Sequence, residues 1–235
     1  VLWEFTYNTS AGSGYVKDED LGYSYGAPIV TKLSDGTWAV LVSSGYNNVS
    51  PGSGHGVLWV LNAQTGAVIS KIDNGMGSSG GTVTGCSTAP CPSGMAQLSA
   101  WISSSTNNTA SDVYGGDLYG NVWRFDISAL TASGGTATVQ LLATLSDSSG
   151  SRQPVTTVPE LGYASSQRLV YVGTGKYLGT ADVSTACSRR ATSRRGHGGR
   201  AGRRGRPSGP PVERDAADHA HGRGLGGRGD AGIDA

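Results

Sequence analysis

Charge is scarce in this chain: 15% of its 235 residues are Asp, Glu, Lys or Arg, against about 25% in an average soluble protein. Long apolar runs are absent too, and none approaches the roughly 18 residues that a spanning helix needs, so no membrane span is expected. The first residues, Val1-Leu2-Trp3-Glu4-Phe5, show no basic segment followed by an apolar one, so they are not expected to be a leader peptide. The chain therefore reads as a piece of a longer protein, and export has to be inferred from other features. No stretch keeps a 3.6-residue apolar period with caps, so helix is expected only as a minor element. His55 is the only histidine before Cys187, and it sits in the turn-like Ser53-Gly54-His55-Gly56. A turn histidine is the sounder reading than a catalytic base, and nucleophilic hydrolysis is disfavoured. Gly173-Thr174-Gly175-Lys176 fails as a phosphate loop, because Val170 and Tyr177 stand where a glycine and a magnesium-binding hydroxyl belong.

The formal charge of +1 hides two unlike regions. Up to Asp182 there are seven basic residues against twelve acids; from Cys187 there are eleven arginines, no lysine and five acids. That second stretch holds no Phe, Trp or Tyr and only scattered Val212, Leu225 and Ile233. Such a composition cannot bury enough apolar surface to offset the entropy of ordering it. Its Arg-Gly steps and its Arg228-Gly229-Asp230 could be read as RNA-binding or integrin-type features. The stronger reading is an out-of-frame terminus rich in the products of GC-rich codons, and no nucleic-acid partner is expected. Residues 185–235 are accordingly taken as a disordered low-complexity tail, and residues 1–184 as the folded body.

Glycine, by contrast, is abundant at 38 residues, which suits short strands and tight turns. The body repeats itself: Val1-Leu2-Trp3-Glu4-Phe5-Thr6, Val57-Leu58-Trp59-Val60-Leu61-Asn62 and Asn121-Val122-Trp123-Arg124-Phe125-Asp126 align at a spacing of about 60 residues. Before the second and third of these come Thr37 to Gly45 and Asp112 to Asp117, each rich in strand formers, and Leu169 to Gly175 opens a further unit. Pro-opened strands are expected at Ala27-Pro28-Ile29-Val30 and Gln153-Pro154-Val155-Thr156. Several short strands per repeat point to an all-β, partial β-propeller of about three blades. In the segment Val113 to Asp126, Trp123 and Phe125 alternate onto one face, which sends Arg124 to the other, near Asp117 or Asp126. Gly115 and Gly116 allow a bulge or a close approach, and Gly120-Asn121 forms a hairpin turn.

That segment, with its Tyr-x-Gly-Asp-Leu-x-Gly-Asn-x-Trp-Arg-Phe-Asp pattern, resembles the signature of the PilY and PilC family of type IV pilus assembly proteins. Trp38 to Asn48, Leu61 to Gly66 and Gly173 to Leu178 agree with it in the same order. The resemblance implies a quinoprotein-like propeller at the pilus tip or outer membrane, outside the cell. It also implies pilin and other pilus assembly components as partners, a host-cell surface ligand, and a non-enzymatic role in pilus extension, twitching motility and adhesion. The alternative is a pyrroloquinoline quinone-dependent dehydrogenase, because Asn62-Ala63-Gln64-Thr65-Gly66 also resembles the turn repeated in those enzymes. They carry adjacent cysteines and a carboxylate-rich calcium centre, however, and here the cysteines are separated and the acids sparse.

The same resemblance implies a calcium loop just before the signature, with oxygen ligands at alternate positions. Counting back from Asp112 gives Ala110, Asn108, Thr106 and Ser104, of which Asp112 and Asn108 match in type and Ala110 offers only a carbonyl. A solvated hairpin loop over Ser103 to Ser111 is the competing reading. In an exported protein Cys86 and Cys91 would close a small disulfide loop, whereas zinc would need more ligands than the body supplies.

Overall fold

The computed structural model describes residues 1–183 and, for their backbone alone, residues 191–195. The reading of residues 185–235 as a tail otherwise falls outside the described residues.

Turn chemistry divides the chain into strands almost throughout. An N-terminal pair, β1 (Glu4–Thr6) and β2 (Tyr15–Lys17), runs parallel. The first blade follows as an antiparallel meander: β3 (Ile29–Lys32), β4 (Trp38–Ser43), β5 (Val57–Asn62) and β6 (Val68–Asp73). The second repeats it with β7 (Leu98–Ser104), β8 (Thr109–Gly116), β9 (Asn121–Asp126) and β10 (Thr138–Thr144). A single parallel pair, Lys32 with Thr109, links the two blades. A third unit holds β11 (Glu160–Ala164), β12 (Gln167–Gly173) and the backbone strand β13 (Ala191–Arg195), antiparallel to one another. One 3-10 turn, Thr180–Val183, is the helical content of the described residues.

Alternation within strands explains how the blades stack. In β5 the residues Val57, Trp59 and Leu61 face Phe5 and Leu21 of the N-terminal segment, while Leu58 and Val60 face the second blade. Both faces are covered, so β5 reads as an unbroken apolar run. In β9 Trp123 and Phe125 turn toward the first blade, and Val122 joins Tyr114, Val155, Val170 and Val172 at the interface with the third unit. The blade period seen in the tryptophan strands is thus a period of packing for Trp59 and Trp123. Trp3 breaks the pattern: its ring lies against Gly66, its indole donates to the Ala63 carbonyl at 3.0 Å, and it faces forward onto the first blade.

The strand expected to open at Pro154 differs from expectation. Val155 makes only an isolated parallel bridge to Gly175, its N–H donating to the Asp117 carbonyl at 2.9 Å. Its side chain fills the space over Gly116, and that inward plunge takes this stretch out of the sheet. β11 takes the strand's place, turning into β12 through Ser165 and Ser166, both at positive φ.

Candidate functional site

The β8–β9 hairpin is densely hydrogen-bonded, and its two faces have separate polar centres. On one face lies Asp117, fully buried at the turn. Its carboxylate accepts the backbone N–H groups of Tyr119 and Asn121, the Asn121 amide and the Trp123 indole, all at 2.9 Å. Four donors occupy the four lone-pair directions a carboxylate offers. Burial pushes the Asp117 carboxyl above its usual range, against the pull of those donors. Tyr119, which donates its hydroxyl to the Pro92 carbonyl at 2.9 Å, is pushed up to about 12 by burial and then by the Asp117 charge. Gly120, at φ 75°, closes the turn where a side chain would strike the carbonyls of Leu145 and Gln153. With its lone-pair directions taken by protein donors, Asp117 is a structural hub of the turn.

On the opposite face Arg124 reaches Asp112 and Asp126, not Asp117, which its strand register places behind it. Its Nε donates to Asp112 at 2.7 Å and its Nη2 to Asp126 at 3.2 Å. Arg168, from β12, grips the other Asp112 oxygen and lies 4.7 Å from the Trp101 ring centre. Ser111 also donates to that oxygen, at 2.7 Å. The Asp112 side chain is only 3% exposed, and two guanidinium groups neutralise it. The Asp112 contact helps hold the Arg124 guanidinium above its ordinary value despite burial. Arg168 lies 56 residues beyond Asp112, and no local pattern announces the pairing.

These contacts decide how the proposed calcium ligands stand. Thr106 and Asn108 lie in the four-residue turn between β7 and β8, while Ala110 and Asp112 lie within β8 itself. Thr106 shares a hydrogen bond with Ser104 at 3.0 Å. Asn108, at φ 59°, donates its amide to the Val30 carbonyl, and its own carbonyl accepts from Thr31 and Lys32. Ala110 packs into the core opposite Ile102. The single carboxylate of the set is already bound by two cations. A hard divalent ion needs about six to eight free oxygens, and this donor set, bonded into a hairpin, does not fit one. Among the described residues no cluster of three or more His, Cys, Asp or Glu is placed to hold a metal.

The loop between β6 and β7 carries a Cys86–Cys91 disulfide, and Ser78 pairs with Cys91 across it. His55 makes a 2.7 Å hydrogen bond from Nδ1 to Asp73, beside the turn where it was expected. A third polar centre had no sequence signal. Lys71 bridges Asp18 at 2.8 Å and Asp20 at 2.7 Å, Asp18 accepts the Trp59 indole at 3.0 Å, and Asp20 accepts the Ser53 N–H. Its partners come from separate strands and loops, so only the fold assembles it.

The comparisons with known proteins agree with this architecture. The family described as the PilY1 beta-propeller domain matches residues 1–194. The chain belongs to the PilY1 β-propeller family. Among its relatives, the type IV pilus biogenesis factor PilY1 of Pseudomonas aeruginosa is 30% identical over 212 residues, which is 82% of this chain and 16% of that protein. A PilY1 homolog of Xylella fastidiosa is 29% identical over 192 residues, 77% of this chain and 12% of that protein. The crystal structure of the P. aeruginosa PilY1 C-terminal domain superposes with a TM-score of 0.58 at 30% identity, covering 75% of this chain and 37% of that domain. The chain thus spans under a fifth of the length of the curated PilY1 relatives it matches.

Proposed function

We propose that this chain is the blade-forming part of a type IV pilus biogenesis protein, working outside the cell with pilin and other pilus components. The observation that carries the reading is the β8–β9 signature, whose polar and aromatic residues do structural work: Asp117 seats the turn, Trp123 fills the blade interface, and Arg124 joins Asp112 to Asp126. The match of residues 1–194 to the PilY1 propeller supports it. The role we assign is non-enzymatic, and the bonding of the hairpin's buried carboxylates to protein donors supports that reading. Pilus extension, twitching motility and adhesion to surfaces or host cells are the activities this reading assigns.

The dehydrogenase alternative gains nothing from the structure. Its turn-like segment, Asn62 to Gly66, is a tight Asx turn in which Asn62 Oδ1 accepts from Gln64 and Thr65 at 2.9 and 3.0 Å. A shared strand connection explains that likeness without a cofactor. The test is deletion of the gene followed by pilus counts and twitching zones, with complementation by the unaltered gene. Loss of surface pili restored by complementation is the expected result; normal piliation and twitching in the deletion strain would remove the proposal.

A further inference from the structure

Two adjoining hollows, of about 350 and 200 Å³, share Tyr7 and Tyr23; the first is lined by the N-terminal segment, and the second reaches the loop between β4 and β5 at Asn47, Asn48 and Ser50. Together they fall in the size range of small-molecule sites. Tyr7, Tyr23 and Tyr25, residues 58%, 61% and 73% exposed, line them, a concentration of aromatic residues that a solvated protein face seldom carries without use. Glu19 and Ser50 supply hydrogen-bonding groups to the second hollow, and buried Asn48, whose amide nitrogen donates to the His55 carbonyl at 2.8 Å, forms part of its wall.

The floor is rigid. Tyr23 and Tyr46 exchange backbone hydrogen bonds at 2.7 and 3.1 Å, and Gly22 donates to Ser44 at 2.8 Å. A side chain at Gly22 would lie 2.2 Å from the Tyr46 carbonyl, so glycine is required for this close approach. The Tyr25 ring rests 5.9 Å from that of buried Tyr46. Binding surfaces held in place this way lose little entropy on occupation, and tyrosine itself has few rotamers to freeze.

We infer that this groove binds a neutral saccharide of two or three rings. A pyranose presents a C–H face that packs on a flat aromatic ring and an edge of hydroxyls. The three tyrosines meet the first requirement; the Glu19 carboxylate and the Ser50 hydroxyl meet the second. The lining carries one charged side chain and it is acidic, which disfavours phosphate, sialic acid and nucleic-acid ligands. The inference stands on the groove alone, and a piliated deletion strain would leave it intact.

The probes are triacetylchitotriose, maltotriose and N-acetyllactosamine, with 3′-sialyllactose as the anionic control, offered to the full chain. Saturation-transfer NMR and calorimetry should detect at least one neutral sugar. Tyr23→Ala and Tyr25→Ala should each weaken binding at least about tenfold, and Tyr23→Phe by less than about threefold. Neutral sugar should also slow tetranitromethane nitration of Tyr7 and Tyr23 in the unaltered chain, a readout that needs no variant to fold. No transfer from any neutral sugar to natively folded chain, binding of the sialylated control alone, or undiminished nitration under saturating sugar each overturns the assignment.

Discussion

Trp59 and Trp123 hold the same seat in successive blades: each lies on the third strand, faces the preceding element, and donates its indole N–H to a carboxylate, Asp18 at 3.0 Å and Asp117 at 2.9 Å. The two carboxylates differ in setting, because Asp117 is fully buried whereas Asp18 also holds Lys71 near the surface. Replacement by Phe removes the donor and leaves a small void in each case. Trp123→Phe should cost about 2–3 kcal/mol and Trp59→Phe about 1–2 kcal/mol, read from urea denaturation at neutral pH. Equal losses below about 0.5 kcal/mol would show that the shared seat is incidental.

Removing Asp117 strands more partners than removing either tryptophan. Asp117→Ala leaves the Asn121 amide, the Trp123 indole and two backbone N–H groups without an acceptor in a buried turn. The expected loss is about 3–5 kcal/mol, enough to unfold a marginal domain. Thermal melting followed by near-ultraviolet circular dichroism, which reports the Trp123 environment, checks it. A variant that melts within a few degrees of the parent would mean that water replaces the carboxylate.

Asp112 joins the second blade to the third unit through Arg124 and Arg168. Removing the buried acid leaves two cations facing each other, whereas Arg168, about a third exposed, can be lost more cheaply. Asp112→Asn should therefore cost about 2–4 kcal/mol and Arg168→Met about 1 kcal/mol. The double variant should fall short of their sum by about 1 kcal/mol or more. Strict additivity in denaturant titrations would disprove the coupling between units.

How much of this the sequence disclosed depends on the range of each interaction. The strands β4, β5, β8 and β9 were legible because propensity, alternation and Gly turns act within a few residues, as at Gly36 and Gly120. The alternation of Trp123 and Phe125 against Arg124 was legible for the same reason. The ion pairs were not: Lys71 meets Asp18 across 53 residues and Arg168 meets Asp112 across 56. Any of several acids satisfied the local pattern for Arg124, and only the pairing of β8 with β9 selects Asp112, opposite Asp126. The plunge of Pro154-Val155 into the second blade was illegible too, since Val155 reads as a strand residue until Gly116 is found beneath it.

Two carboxylates give opposite responses to acid. Burial alone would raise the Asp20 carboxyl, but the Lys71 ammonium and the Ser53 N–H and hydroxyl outweigh it and hold the group below its usual value of 3.8. Its contribution is therefore present above pH 3.8 and is lost as pH falls through the lower folded value. Asp117, raised above 3.8, behaves in reverse: its contribution is present below 3.8 and is lost as pH rises through the higher folded value. Lys71→Met should weaken the grip on Asp20 and flatten the loss of melting temperature between pH 4 and 2, a range bracketing the ordinary carboxyl value. An unchanged acid limb in that variant would assign the loss to other groups.

Gly116 sets the distance between the second blade and the third unit. A Cβ built on it would lie 2.2 Å from Val155 Cγ1 and 2.5 Å from Val155 Cβ, well inside contact distance. Its φ does not lie in the left-handed region, so the objection to a side chain is crowding alone. Gly116→Ala should thus destabilise by about 2–3 kcal/mol through overpacking. Val155→Ala alone should cost about 1–2 kcal/mol, because it opens a space beside Val122, Val170 and Val172. In the double variant the Val155 Cγ atoms are gone while its Cβ still lies 2.5 Å from the added methyl, so the clash is relieved in part and the combined loss should fall short of the sum of the two single losses by about 1 kcal/mol. Chemical denaturation of the three variants decides it: losses that add strictly would show that Val155 does not fix the spacing.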